Sequence, residues 1–167
     1  GPQRVITFED GSEIAAHSIV LATGVFYRAL EAEGCSDLTG RGIYYGSAST
    51  EAQATQGEDV YIVGGANSAG QAAVFFSRHA RSVTLLVRGK DLGHSMSHYL
   101  IEQINAIDNI TVRLRTTVLE AHGTEHLEGI TLCEQDGGRT EQVTCGHVFV
   151  FIGAAPHTDW LDGTVAR

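Results

Sequence analysis

Val60-Tyr61-Ile62-Val63-Gly64-Gly65-Ala66-Asn67-Ser68-Ala69-Gly70 is the stretch on which the fold turns. With Asp59 in front, its first half is a short apolar run of the kind that forms a strand buried on both faces. Two glycines end the run. Behind them Ala69, Ala72, Ala73 and Phe76 recur at helical spacing and predict a helix over roughly Ser68 to His79. The pattern continues outward on both sides. Ser82–Val87 reads as the next strand, and Ser95–Asn105 as a second helix, with Tyr99, Leu100, Ile104 and Ile107 at near-helical intervals. Ile110–Leu114 is a further strand. Thr117–Cys133 and Arg139–Cys145 read as hairpin strands turning at Gly137-Gly138, and His147–Ile152 is a last buried strand closed by Gly153. Upstream, Val5–Phe8 and Glu13–His17 form a hairpin through Glu9-Asp10-Gly11-Ser12. Ser18–Ala22 reads as a buried parallel strand ending at Thr23-Gly24, and Phe26–Gly42 as a connection.

Strand, helix, strand, helix, strand, meander, strand is a doubly wound α/β order. It predicts a Rossmann-like, three-layer domain: a parallel sheet, helices, and a small β-meander over one face. A strand-to-helix turn is where a dinucleotide fingerprint G-x-G-x-x-G/A belongs. Gly64 takes its first position and permits the tight turn. Ala69 takes the third and lets the helix lie close to the strand. Ala66 stands where the second glycine would be, and its methyl group is expected to push a pyrophosphate outward. The candidate cofactor contacts here are Gly64, Gly65, Ala66, Asn67, Ser68 and Ala69, because free N–H groups and the positive dipole end of a helix attract phosphate. Read alone, the same turn also fits an ordinary strand-to-helix connection. Arg88 follows Gly64 by 24 residues, near the usual interval of about 20. With Lys90, it places positive charge where an acidic residue would select the ribose of NADH, and so favours NADPH. The plainer reading of Arg88 is a solvated surface charge.

Composition narrows the function. The 167 residues carry a formal net charge of -9, which excludes a nucleic-acid or anionic-membrane partner that needs a basic face. No apolar run reaches the length of a membrane span. Cys35, Cys133 and Cys145 include no C-x-x-C pair, so neither a disulfide framework nor a zinc site is expected, and reduced thiols point to the cytoplasm. His94 and His98 would share a helical face but do not complete a metal site. Arg78, His79 and Arg81 are placed to cap the end of the first helix. Trp160 is expected to pack on a domain outside this chain.

Three segments, in this order, resemble the low-molecular-weight thioredoxin reductases: Ile19-Val20-Leu21-Ala22-Thr23-Gly24, the glycine turn, and Val148-Phe149-Val150-Phe151-Ile152-Gly153-Ala154-Ala155-Pro156-His157-Thr158. Asn67–Phe76, Leu86-Val87-Arg88-Gly89 and Ser95-Met96-Ser97 further resemble the thioredoxin-reductase-like oxidoreductases often fused to a cyclic-nucleotide-binding domain. The resemblance implies an NADPH domain set into an FAD domain. Residues 26–152 would bind NADPH, and residues 1–25 and 153–167 would be remnants of the FAD domain. It adds Ile152 and Gly153 to the NADPH contacts and puts Thr23 and Gly24 on the FAD side. It implies hydride transfer from NADPH to FAD in a longer protein, with this piece alone inactive. It also implies rotation about Val25 and Gly153. The family's C-x-x-C pair would fall at Gly46 and Ser49 in Tyr45-Gly46-Ser47-Ala48-Ser49-Thr50, so the usual redox dithiol is missing. The electron acceptor is unassigned and a homodimer of the longer protein stays open. A ferredoxin or flavodoxin reductase and a regulatory nucleotide-binding module remain alternatives.

Overall fold

A computed structural model of the chain describes residues 3–46 and 52–163. The chain divides into two compact units, Gly1–Phe26 with Ala155–Arg167, and Tyr27–Ala154. In the first unit, β1 (Arg4–Thr7) and β2 (Glu13–Ala16) pair antiparallel, with Thr7 opposite Glu13. Their turn is an Asx turn: the Asp10 carboxylate accepts from the Ser12 N–H at 2.9 Å and its hydroxyl at 2.6 Å. The expected buried strand over Ser18–Ala22 does not form. The segment runs as irregular chain, with Val20 90% exposed. A buried parallel strand needs neighbours on both edges and layers on both faces. The described part of this unit offers only a hairpin and a short ribbon, so the apolar run has nothing to enter. The ribbon's first strand is β3 (Val25–Tyr27).

In the second unit, β4 (Ile43–Tyr45) and β5 (Asp59–Val63) lead into helix α1 (Asn67–Phe76), followed by β6 (Ser82–Val87), α2 (His98–Asn105) and β7 (Ile110–Leu114). A meander of β8 (Thr116–His122), β9 (Gly129–Glu134) and β10 (Arg139–Thr144) comes next, then β11 (His147–Val150). Five strands make one parallel sheet in the order β4-β11-β5-β6-β7, and the meander is a separate antiparallel sheet, β10-β9-β8. Strand side chains alternate between two cores, which is why both faces are apolar. Val60, Ile62, Val83, Leu85 and Phe149 join α1 and α2 in one core, through Ala69, Ala73, Phe76, Leu100 and Ile104. Val63, Leu86, Val148 and Val150 face the other way and pack on Val118, Ile130 and Leu132 of the meander. This is the three-layer Rossmann-like architecture read from the sequence.

Helix α1 stops at Phe76, short of His79. Its last carbonyls accept from the chain that follows: the Ser77 hydroxyl donates to the Val74 oxygen, the Arg78 N–H to Phe75, and the His79 and Ala80 N–H groups to Phe76. The side chains of Arg78, His79 and Arg81 do not cap them, and just past the helix the Asn109 carboxamide donates to the Ser77 oxygen at 2.9 Å and the Ala80 oxygen at 3.3 Å. Arg81 instead forms a forked pair with Asp59, at 2.9 and 2.5 Å. Beyond β11, the strand β12 (Ala154–Pro156) pairs with β3, and a short 3-10 turn spans Asp159–Leu161. The Trp160 ring is 63% exposed, and its indole N–H donates to the His157 oxygen at 3.1 Å.

Candidate functional site

In an open parallel sheet, ligands collect outside the carboxyl ends of the strands, where the winding direction reverses. Here β5 is that strand: α1 carries the chain to β6 on one side, while β11 and β4 flank it on the other. The glycine turn sits at its carboxyl end. Gly64 has φ +148°, and a Cβ there would lie 2.5 Å from the Phe151 carbonyl oxygen and 3.0 Å from the Ala69 methyl. Both the left-handed backbone and the close approach of the β11 extension therefore demand glycine. The Gly64 N–H donates to Leu86, and the Phe151 N–H to Val63, so β6 and β11 hold the turn from both sides. Gly65 meets the same constraint more mildly: a Cβ would lie 2.9 Å from a methyl of Val87.

Ala66 is the N-cap of α1, exposed, with φ -103° and ψ 179°. That is extended backbone which alanine adopts without strain, so this turn does not require glycine at its second position. No side chain caps the helix. Its first N–H groups, at Asn67, Ser68 and Ala69, have no partner within the helix by its geometry. Ser68 is exposed beside them, and Ala69 is fully buried against the strand. Ala69 is thus the small third position the fingerprint needs.

Arg88 and Lys90 leave the carboxyl end of β6 exposed, and neither has an ion pair among the described residues. They are basic groups next to an uncapped helix start, in a chain of net charge -9. Ile152 is half-buried and Gly153 exposed, on the chain leaving β11. Thr23 and Gly24 belong to the other unit and are exposed. His94 and His98 are exposed, and no group of three metal-ligating side chains occurs among the described residues.

Ser95-Met96-Ser97 stands out in the sequence by resemblance alone, and sequence reasoning missed the bonds it makes to the glycine turn. Ser95 donates its hydroxyl to the Gly65 oxygen at 2.8 Å. The Asn67 amide oxygen accepts from the Ser97 N–H at 2.8 Å and hydroxyl at 3.0 Å. Ser97 stands at the N-cap of α2 yet makes no side-chain capping bond, its hydroxyl being engaged with Asn67.

The two buried thiols are not poised for redox work. Burial pushes the Cys35 thiol up to about 11. Burial, helped by the Asp59 charge, pushes Cys145 up to about 12. A reactive cysteine needs the opposite shift. Gly46 has φ +78°, and a Cβ there would lie 2.5 Å from the Tyr27 ring. The other position of the expected dithiol, Ser49, lies outside the described residues, as does all of Ser47–Thr50.

Residues 2–166 match the family described as pyridine nucleotide-disulphide oxidoreductase. The chain belongs to that family. It is 30% identical over 162 residues to an NADH dehydrogenase of Ferdinandcohnia aciditolerans, covering 97% of this chain and 31% of that protein. It is 25% identical over 160 residues to the F component of alkyl hydroperoxide reductase in Staphylococcus aureus, covering 96% of this chain and 31% of that protein. The fold matches thioredoxin reductase of Streptococcus pyogenes with a TM-score of 0.81 at 24% identity, over 99% of this chain and 56% of that one. A bacillithiol disulfide reductase of Staphylococcus aureus matches with a TM-score of 0.67 at 25% identity, over 95% of this chain and 50% of that one. The chain therefore spans about a third of the curated relatives it matches.

Proposed function

We propose that this chain is the NADPH-binding part of a longer flavin-dependent oxidoreductase that works without the usual dithiol. One observation carries the reading. In a member of this family, the uncapped first turn of α1 opens at the carboxyl edge of the sheet beside two basic side chains free of ion pairs among the described residues, Arg88 and Lys90. The residues fit the group. The N–H groups of Asn67, Ser68 and Ala69 suit a pyrophosphate, Gly64 and Gly65 form the tight turn that presents them, and Arg88 with Lys90 suits a 2′-phosphate. Ile152 and Gly153 would border the nicotinamide end, and Thr23 and Gly24 would belong to the flavin side. When bound, the nicotinamide supplies a hydride and FAD accepts it. The protein's share is to bind and orient. No side chain is assigned as acid or base.

The missing dithiol is supported by Gly46, whose left-handed backbone and close Tyr27 ring disfavour a larger residue. Cys35, Cys133 and Cys145 are unpaired, which supports a reducing compartment, the cytoplasm. The placement beside proteins fused to a cyclic-nucleotide-binding domain rests on Asn67–Phe76 and Ser95-Met96-Ser97. A second reading, NADH as the nucleotide, draws on the relatives of 30% and 28% identity that are named NADH dehydrogenase.

Calorimetric titration with each nucleotide decides. We expect tighter binding of NADPH, and an Arg88→Ala loss of roughly tenfold for NADPH with NADH unchanged. Tighter binding of NADH, indifferent to Arg88→Ala, would establish the second reading. Binding of neither would overturn both.

A further inference from the structure

The segment Arg88–Ser97 is built as an arch with both feet tied down. At its front the Gly89 carbonyl accepts from the Arg115 N–H at 3.0 Å. Arg115 holds that position with φ +50°, the one non-glycine positive φ among the described residues. At its rear, Ser95 reaches the Gly65 carbonyl and Ser97 reaches Asn67 with two bonds. Between the feet Leu92 and Met96 are buried in the helical core, 8% and 5% exposed. Met96 lies over Gly70, where a Cβ would come within 2.9 Å of both its sulfur and its methyl carbon. A glycine inside a helix is otherwise unfavourable, so Gly70 reads as the seat that lets the arch lie close.

We propose that the Asn67 side chain has a positioning role in nucleotide selection, acting through this arch, while only the Asn67 backbone N–H, which Asn67→Ala keeps, would meet the pyrophosphate. The side chain fixes where the arch carries Arg88 and Lys90 relative to the first turn of α1. The inference rests on the NADPH reading above. Its physical content is preorganisation. A tethered arch presents its two cations already placed, so binding loses less conformational freedom. Asn67 is suited to this because its amide oxygen accepts both bonds from Ser97, whereas a cap residue at that end of the helix would turn inward.

The test has two arms on the whole chain. The first is amide hydrogen exchange of residues 89–97 without nucleotide. Asn67→Ala and the pair Ser95→Ala with Ser97→Ala should both speed exchange, and Asn67→Asp, which keeps the acceptor, should restore protection. The second is the affinity ratio of NADPH to NADH. Both sets of variants should lower NADPH affinity by roughly five- to tenfold and leave NADH within about twofold, and neither should lower it further in an Arg88→Ala background. Unchanged exchange overturns the proposal. So does faster exchange with equal losses for the two nucleotides, or an NADPH loss that persists without Arg88. So does an effect confined to Asn67→Ala, which would mean direct contact. If the parent chain binds neither nucleotide, the positioning role falls with the NADPH reading, and the exchange arm shows separately whether the arch is tethered as described.

Discussion

At the scale of single residues, Gly64 is the least replaceable position of the turn. Gly64→Ala must accept both a left-handed backbone and a methyl 2.5 Å from a carbonyl oxygen. We expect a loss of about 2–4 kcal/mol, read as a lowered denaturation midpoint with an unchanged slope. Ala66 shows the converse. The sequence motif marks it as a departure, but its extended backbone carries alanine freely, so Ala66→Gly should leave stability within about 1 kcal/mol. Asp59 gives a pH signature far from the site. Hydrogen bonds from Arg81 and Ser82 hold its carboxyl below the ordinary 3.8. Because the folded value is the lower one, the stabilisation is present above pH 3.8 and is lost as the pH falls through the folded value. The Arg81 side chain is 64% exposed, so Asp59→Asn should cost less than about 1 kcal/mol near neutrality. The difference from the parent should close on acidification, as followed by thermal melts at each pH.

At the scale of elements, the aromatic contact between α1 and the sheet fixes the helical layer. Phe76 is fully buried and stacks on Phe149 at 4.2 Å between ring centroids, and Tyr44 stacks on Phe149 from the next strand at 5.3 Å. Phe76→Ala should cost about 3–5 kcal/mol in a denaturant titration. This layer was legible in the sequence. The apolar runs at 59–63, 82–87 and 147–150 announce strands buried on both faces, and Ala69, Ala72, Ala73 and Phe76 announce the face of α1. What periodicity does not report is partnership. Ser18–Ala22 has the composition of a buried strand, yet finds no sheet to enter. The second helix was expected from Ser95 and begins at His98. Ser95 and Ser97 are engaged with Gly65 and Asn67, some 30 residues back along the chain. The glycine turn was readable because its constraint is local. The arch that frames it was not, because its bonds are long-range and link short polar side chains with no sequence pattern.

At the scale of the whole molecule, the two units should not melt together. The three-layer unit has two apolar cores, whereas the other exposes Val20, Phe26 and Trp160 by 90%, 65% and 63%. Trp160 is the only tryptophan, so its fluorescence reports the smaller unit alone. We expect it to emit as a solvated indole, and any change in it on heating to precede the loss of far-ultraviolet circular dichroism, which follows the larger unit. Coincident transitions would show the units to be one cooperative body. The larger unit also closes on itself. Its first residues and its last are joined where the Arg28 N–H donates to the Gly153 carbonyl at 3.0 Å. A segment whose ends meet is portable. It can be spliced into a surface loop of an unrelated host, which then has to bridge a gap no wider than a hydrogen-bonded pair of strands.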